Sequence, residues 1–481
     1  MLEKFHNIEN FYGTFVKPLR FEADVYECEV IGEIPVELQG TLYRVGPDRQ
    51  YPSLEGDIII NGDGMVSLFR FDNGHVEFKS RYVKTERLLR ERESRKRLYG
   101  SYRNRFTDDP QTEGTDRDNT GNTYAFYHAG KLFALREDSL PHQIDPDTLE
   151  TLPKWNFDGA LKSINLTAHP KIDPETGEWI SFAMFAYGQE NAGDRPNTDM
   201  MLHVIDKSGK LYRQEAFNAP FPGISHDFAV TRDHFIFGIL PLTIDLNRVR
   251  AGGPFFAYDP DQAPCWGIMP RAGTVDDIRW FSVPHAIASH VMNAYTEGTK
   301  VHVDADMSYG NNFTFLPAID GSRTEMADGI ATFTRLTFDL AAPDGDVKMT
   351  PFPGAVGGLP RIDERYAMTR YRYGFFMSPA GVSRLDWDTG EIVSHANPAV
   401  PGLCQEPVFV PRHPDSPEGD GFLLCLFNKF QDNTAELLIL DAMNLAGAAL
   451  ARVQLPFNQP FAFHGCFVPD SQRLAIKNGK A

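Results

Sequence analysis

The stretch VSLFRF-DNG-HVEFKSRYV, residues 66–83, decides the fold class. Two runs rich in β-branched and aromatic residues alternate apolar and polar side chains. Between them Asp72-Asn73-Gly74 offers the residues that tolerate the positive φ of a tight hairpin. The same grammar recurs along the chain. Residues 124–145 read YAFYH, a turn at Ala129-Gly130, KLFALRED, and a further turn into LPHQID. Residues 202–217 turn at Lys207-Ser208-Gly209. Residues 333–351, 382–395 and 406–455 continue the pattern, with turns at Pro343-Asp344-Gly345, at Asp388-Thr389-Gly390 and in PEGDG at 417–421. One charged segment, TERLLRERESRKRL at 85–98, is helix-prone and reads as a solvated helix.

Strands persist from end to end with no βαβ alternation, so the chain is read as all-β. A sandwich of 481 residues is implausible. A closed ring of four-stranded blades accommodates that length, with 1–481 as one propeller domain. No WD or kelch repeat fixes the blade number. Long connections at 241–275 and 307–330 exceed ordinary loops and are expected to cap a binding cavity.

Composition narrows the chemistry. Asp+Glu is 65 against Lys+Arg 47, a net charge of −18, which suits no phosphate-coating, nucleic-acid-binding surface. The five Cys are odd in number and form no C-x-x-C, which speaks against a disulfide scaffold or a thiolate zinc site and for a reducing compartment. The N-terminus is too polar for a signal peptide, and no run of about 18 apolar residues suggests a membrane span. A cytoplasmic protein with no obligatory membrane partner is expected; a homodimer is compatible with the sequence. Any metal chemistry must then run on imidazoles and carboxylates.

There are 14 His, and a lone His in a β-protein is usually a satisfied polar group. His169, His226, His290 and His464 share a context: each opens or closes an apolar strand. Intervals of 57, 64 and 174 residues separate them. Seven blades would each take about 69 residues, so the first two intervals are about one blade. One His from each of four blades could then point at the common axis. Imidazole suits Zn, Cu, Fe and Ni alike, so the set alone names no metal.

The words around these His carry a resemblance. GEIPVELQGTLYRVGP at 32–47, NGDGM at 61–65, TAHPKIDPETGE at 167–178, HDFAVT at 226–231, HVMNAYTEG at 290–298, LPRIDERY at 359–366, QEPVFVP at 405–411 and HGCFVP at 464–469 resemble the carotenoid cleavage oxygenase family, nearly end to end. Within it the chain is most similar to the lignostilbene and isoeugenol oxygenase branch. The resemblance implies a seven-bladed β-propeller, with long loops over a non-haem Fe(II) held on its axis by His169, His226, His290 and His464. It implies O₂-dependent cleavage of a C=C bond into two carbonyl products, with an aryl alkene and O₂ as small-molecule partners and no organic cofactor.

Four neutral ligands leave the iron's charge uncancelled, which favours the ferrous state. Ligating His normally donates its other N–H to an acceptor that fixes its tautomer. The resemblance assigns Glu137 and Glu406 to that task. A third Glu is expected two residues before Pro360, where this chain has Gly358. A water, a backbone carbonyl or another acid is left to take its place. For the substrate, Tyr102 and Arg136 match positions that hold a phenol oxygen. The family's Lys is here Arg, which could bind a phenolate or carboxylate but not accept a proton. A phenylpropanoid or stilbenoid is the expected substrate. An apocarotenoid, a propeller that binds without turnover, and a hydrolase or isomerase on the same metal are the other readings.

Overall fold

The structure is a computed structural model. It describes residues 8–9, 15–16 and 18–477, apart from 53, 55–56, 117–118, 189–196, 285, 325–328, 343–346 and 397–399. The turn expected at 343–345 lies outside the described residues, as do His6 and His285.

The hairpin at 66–83 forms as strands Asp63–Asp72 and His75–Tyr82, with Asp72 opposite His75. Asn73 and Gly74 both take positive φ, 49° and 87°. That pair of left-handed residues twists a two-residue turn to match its strands. Ala129 and Gly130 do the same at 47° and 80°, between Tyr124–His128 and Lys131–Leu135. Alanine pays a Cβ clash in that region, so here the flanking strands impose the turn.

Seven such antiparallel sheets form a propeller. The first blade runs His464–Pro469, Gly40–Asp48, Asp63–Asp72 and His75–Tyr82. The second runs from Tyr124–His128 through Lys131–Leu135 and His142–Ile144 to Thr151–Lys154. The third comprises Lys171–Ile172, Trp179–Met184, Asp199–Ile205 and Leu211–Asn218. In the fourth, Gly223–Ile224 and Phe228–Val230 both pair with His234–Ile244, which leads out to Cys265–Pro270 and Arg279–Ser282. The fifth is Ile287–Glu297, Lys300–Ser308, Thr332–Asp339 and Val347–Val356. The sixth is Gly358–Ile362, Tyr373–Ser378, Gly381–Asp386 and Ile392–Ala396. The seventh sets Gly402–Cys404 and Val408–Pro411 against Gly421–Lys429, then Thr434–Asp441 and Ala451–Leu455.

The two chain ends close the ring. His464–Pro469 enters the first blade beside Gly40–Asp48, and His464 also pairs in parallel with Tyr124 of the second. Near the N-terminus, Ala23–Val25 extends the first blade and Glu29–Gly32 extends the seventh. Apolar clusters fill the wedges between blades. Leu42, Phe69 and Phe78 of the first pack with Val408, Leu424 and Leu437 of the seventh, all buried. This burial of one sheet face on the next favours ring closure over separate hairpins.

The charged segment at 85–98 forms a helix over Glu86–Ser94, opened by the Thr85 hydroxyl accepting from the Leu88 amide. The connection at 241–275 differs from expectation. It holds a short helix, Leu246–Arg250, and strands Phe256–Tyr258 and Cys265–Pro270. Its Pro and Gly read as loop punctuation, but the apolar runs between them are strands of the fourth blade. Among the described residues no helix is long and apolar enough to cross a membrane. All five Cys are free thiols.

Candidate metal centre

The innermost strands bring His169, His226, His290 and His464 together by being interrupted. His169 precedes Lys171–Ile172, and His226 fills the gap between Gly223–Ile224 and Phe228–Val230. His464 begins its strand. His290 sits in a bulge: Ala288 pairs with Met307 and Val291 with Ala305, so Ser289 and His290 together face Asp306. A bulge turns one side chain away from the regular alternation, and here it turns an imidazole toward the axis.

The four rings form one cluster. The ring of His169 lies 4.5 Å from those of His226 and His464 and 5.2 Å from that of His290, centroid to centroid. His290 is 5.2 Å from His226 and 5.1 Å from His464. Ligand nitrogens of His169, His226 and His290 all lie within 4.8 Å of one another. The Nε2 atoms of His169 and His226 are 3.1 Å apart. Two imidazoles at right angles on one metal, each about 2.1 Å from it, would stand about 3 Å apart. The donor set therefore fits a metal ion. It is all nitrogen, with the nearby carboxylates set behind the rings.

Burial and the neighbouring imidazoles hold His169 well below its ordinary pKa. Burial likewise pushes His464 down to about 4, against the pull of Glu406. Neutral imidazoles keep the lone pairs that ligation requires.

Three carboxylates stand behind three rings. Glu406 Oε1 is 2.8 Å from His464 Nδ1. Burial alone would raise Glu406; the Arg361 guanidinium, His464 and Arg44 outweigh it and hold the acid at about 2. Glu137 Oε1 lies 3.7 Å from His226 Nδ1, a charge contact rather than a hydrogen bond. Burial opposes its ionisation too, yet His226 and Arg136 keep it well below the usual carboxylate range. The third is Asp306, whose Oδ2 is 3.4 Å from His290 Nδ1. Sequence reasoning missed it by looking for an acid at 358. Gly358 instead starts its strand and lines a cavity wall. The signal was present: in VHVDADMS, two Asp at alternate positions share one face of a strand whose other residues are mostly apolar. Arg361 was also missed. Its guanidinium donates to the Gly465 carbonyl at 2.8 Å and to Glu406 Oε2 at 3.3 Å.

Two cavities meet at the cluster. One, of about 450 Å³, touches His226, His290 and His464 and is walled by Phe256, Phe313, Phe315 and Leu359. The 307–330 segment supplies much of that wall, from Asn312 to Leu316 and again at Gly329 and Ile330. The other, of about 960 Å³, touches His169, His290 and His464 and is more polar, with Lys171, Asp227 and Arg361 on its walls.

Tyr102 and Arg136 both line the apolar cavity, with the guanidinium carbon 5.0 Å from the phenol ring centre. Arg136 is buried, 3% exposed, and not the surface charge that its strand position also allowed. Its Nη1 donates to the Asn122 side chain at 2.6 Å, the Ile60 carbonyl at 2.7 Å and Thr120 Oγ1 at 3.2 Å. Its Nε faces Asp138 at 3.4 Å. Burial pushes the Tyr102 phenol up, so it is neutral and carries its proton. Elsewhere His128, His203, His234 and His302 each reach a carbonyl or hydroxyl, as satisfied polar groups do.

Comparison with known proteins matches this geometry to named relatives. The family model described as retinal pigment epithelial membrane protein matches residues 16–469. Isoeugenol monooxygenase of Pseudomonas nitroreducens is 37% identical over 475 residues, 95% of this chain and 97% of that protein. Lignostilbene-alpha,beta-dioxygenase isozyme III of Sphingomonas paucimobilis is 38% identical over 484 residues, 96% of this chain and 97% of that one. The crystal structure of Pseudomonas brassicacearum lignostilbene dioxygenase superimposes with a TM-score of 0.91 at 36% identity, covering 97% of this chain and all of that one.

Proposed function

Because the chain belongs to the carotenoid cleavage oxygenase family, that of the retinal pigment epithelial membrane protein, we propose that it is a non-haem Fe(II) oxygenase cleaving an aryl alkene. The substrate is a phenylpropanoid or stilbenoid, the co-substrate O₂, and the products two carbonyl compounds. One observation carries this reading: four imidazoles, two buried and two half-buried, converge in one cluster, and three of them, His226, His290 and His464, line an aromatic-walled cavity that also holds Tyr102 and Arg136. The relatives' names supply the substrate class.

His169, His226, His290 and His464 would hold the iron, which when bound supplies the activation of O₂. Everything else falls to the protein. Glu137, Asp306 and Glu406 orient three of the rings from behind. The Phe and Leu walls exclude water and press an apolar alkene toward the His cluster. Tyr102, still protonated, donates a hydrogen bond to a phenol oxygen, and Arg136 sets a fixed positive charge beside it. A phenolic ring held there leaves its side-chain double bond free to point at the cluster. The whole ring of blades serves as one catalytic unit in a reducing, cytoplasmic setting that keeps the iron ferrous.

Iron analysis, with aldehyde formation from isoeugenol and from resveratrol under O₂, tests the proposal. Near-stoichiometric iron with oxygen-dependent aromatic aldehyde is expected. Iron without cleavage of any aryl alkene overturns the substrate assignment in favour of an apocarotenoid. Product formed without oxygen uptake overturns the oxygenase.

A further inference from the structure

The site's third carboxylate comes from an unexpected strand, and the local geometry separates two tasks for it. Asp306 lies in Lys300–Ser308, opposite the bulge of Ile287–Glu297. Its Oδ1 accepts from the amides of Ser289 at 3.0 Å and His290 at 2.6 Å, the two N–H groups the bulge removes from the ladder. Its Oδ2 accepts from Ser289 Oγ at 2.8 Å and faces His290 Nδ1 at 3.4 Å. The side chain is 1% exposed, and its charged contact among the described residues is to His290, with no Lys or Arg ion pair. Asp227, the other acid at this bulge, accepts from the Val291 amide and pairs with Lys171. Glu406 is committed to His464 and Glu137 to His226.

Resting on the oxygenase reading above, we propose that Asp306 is the positioning residue for His290, replacing a carboxylate that Gly358 cannot provide. An acceptor at Nδ1 keeps the proton there and leaves Nε2 bare toward the cluster. The division between oxygens explains why an Asp suffices. One oxygen holds the bulge in shape, and the other, locked by the Ser289 hydroxyl, reads the ring. Moving the acid from the sixth blade to the fifth also leaves Gly358 as bare cavity wall beside the metal ligands.

The variant D306N separates the two tasks. Its amide oxygen can still accept from both bulge amides. Its NH₂ then faces His290 Nδ1 and favours the tautomer with Nε2 protonated, which cannot ligate. Cobalt(II) and iron(II) titration of the metal-free chain is expected to show affinity lower by about 10–100-fold. The cobalt absorption bands should change and the thermal midpoint stay close to that of the native chain. Adding G358E, which returns a carboxylate to the sixth blade, should restore most of the affinity. Unchanged metal binding in D306N overturns the proposal. A loss that G358E does not restore assigns Asp306 to the bulge alone and also overturns it.

Should D306N fail to fold, ¹⁵N-histidine spectra of the metal-free native chain decide the matter. A His290 protonated at Nδ1 supports the proposal, and one protonated at Nε2 overturns it. A native chain that takes up neither cobalt nor iron sinks the oxygenase reading, and the tautomer measurement still decides the role of Asp306.

Discussion

Glu406 and His464 are 58 residues apart in the chain and meet at 2.8 Å, Oε1 to Nδ1. The contact joins the seventh blade to the strand that closes the first. Glu406 Oε2 meanwhile accepts from the Gly465 amide at 3.1 Å and from Arg361. One carboxylate thus ties ring closure to the orientation of the His464 ring. Glu406→Gln keeps the shape but removes the charge that holds the His464 proton on Nδ1. Metal affinity should fall by about 10–100-fold. Titration with cobalt(II) checks this; native affinity in the variant would sever closure from metal binding.

Acid should weaken the metal-free protein in two stages. His464 is held at about 4 in the fold against an ordinary 6.5. The unfolded chain therefore takes up its proton first, and stability is lost as pH falls from about 6.5 toward 4. Glu406, at about 2 against 4.5, contributes stability that is present above 4.5 and lost as pH falls through 2. The His464 contribution to the thermal midpoint should be complete above pH 6.5 and decline below it. Bound metal should move the first decline to lower pH, because protons and metal compete for the same nitrogen. Midpoints equal at pH 7 and pH 4 without metal would refute the ordering.

The parts of this molecule legible in its sequence are those set by local rules. Residues 66–83 gave a hairpin because the period-2 pattern and the Asn73-Gly74 turn agree. The four His stood out through the words around them. Asp306 and Arg361 did not, because each works through a register or a closure that no local pattern encodes. Asp306 faces His290 only because Ser289 and His290 share one partner position. Arg361 meets Glu406 only once the sixth and seventh blades are docked. Residues 241–275 misled for the opposite reason: local Pro and Gly signals outvoted short apolar strands that are stabilised by the blade they join.

Arg361 is a second place to test the coupling. Its guanidinium is inside the protein, between Glu406, Glu364 and the Gly465 carbonyl. Arg361→Met fills similar volume but leaves Glu406 with less compensation for its buried charge. Breaking a buried pair by removing one partner costs about 3–5 kcal/mol. Denaturant unfolding should show a loss of that order, accompanied by weaker metal binding. A variant as stable as the native chain would mean that Arg44, 3.9 Å from Glu406, carries the charge alone.

Substrate recognition can be separated from the metal at Tyr102. The phenol lines the cavity with its proton in place, beside the Arg136 guanidinium. Tyr102→Phe removes one donor and keeps the ring. For a phenolic alkene such as isoeugenol, kcat/KM should fall by about tenfold, the worth of one hydrogen bond in a dry site. For the corresponding methyl ether, whose oxygen is crowded and carries no proton, the change should be much smaller. Equal losses on both substrates would place the phenol group elsewhere in the cavity. Arg136→Lys is expected to damage folding before recognition, since three acceptors converge on its Nη1.

His226→Ala distinguishes an enzyme from a propeller that only binds. The His226 ring lies 5.4 Å from Phe313 and its residue borders the apolar cavity. Its removal deletes one nitrogen donor, enlarges that cavity and leaves Glu137 without its imidazole partner. Iron content should fall to background, and oxygen-dependent aldehyde formation with it. The chain should still fold, since the blade's strands are anchored by Phe228 and Phe237 rather than by the ring. Fluorescence titration with resveratrol then separates the two readings. Weakened binding together with lost turnover follows if the alkene is held against the metal. Unchanged binding in a metal-free variant, from a native chain that shows no turnover, would favour the binding module.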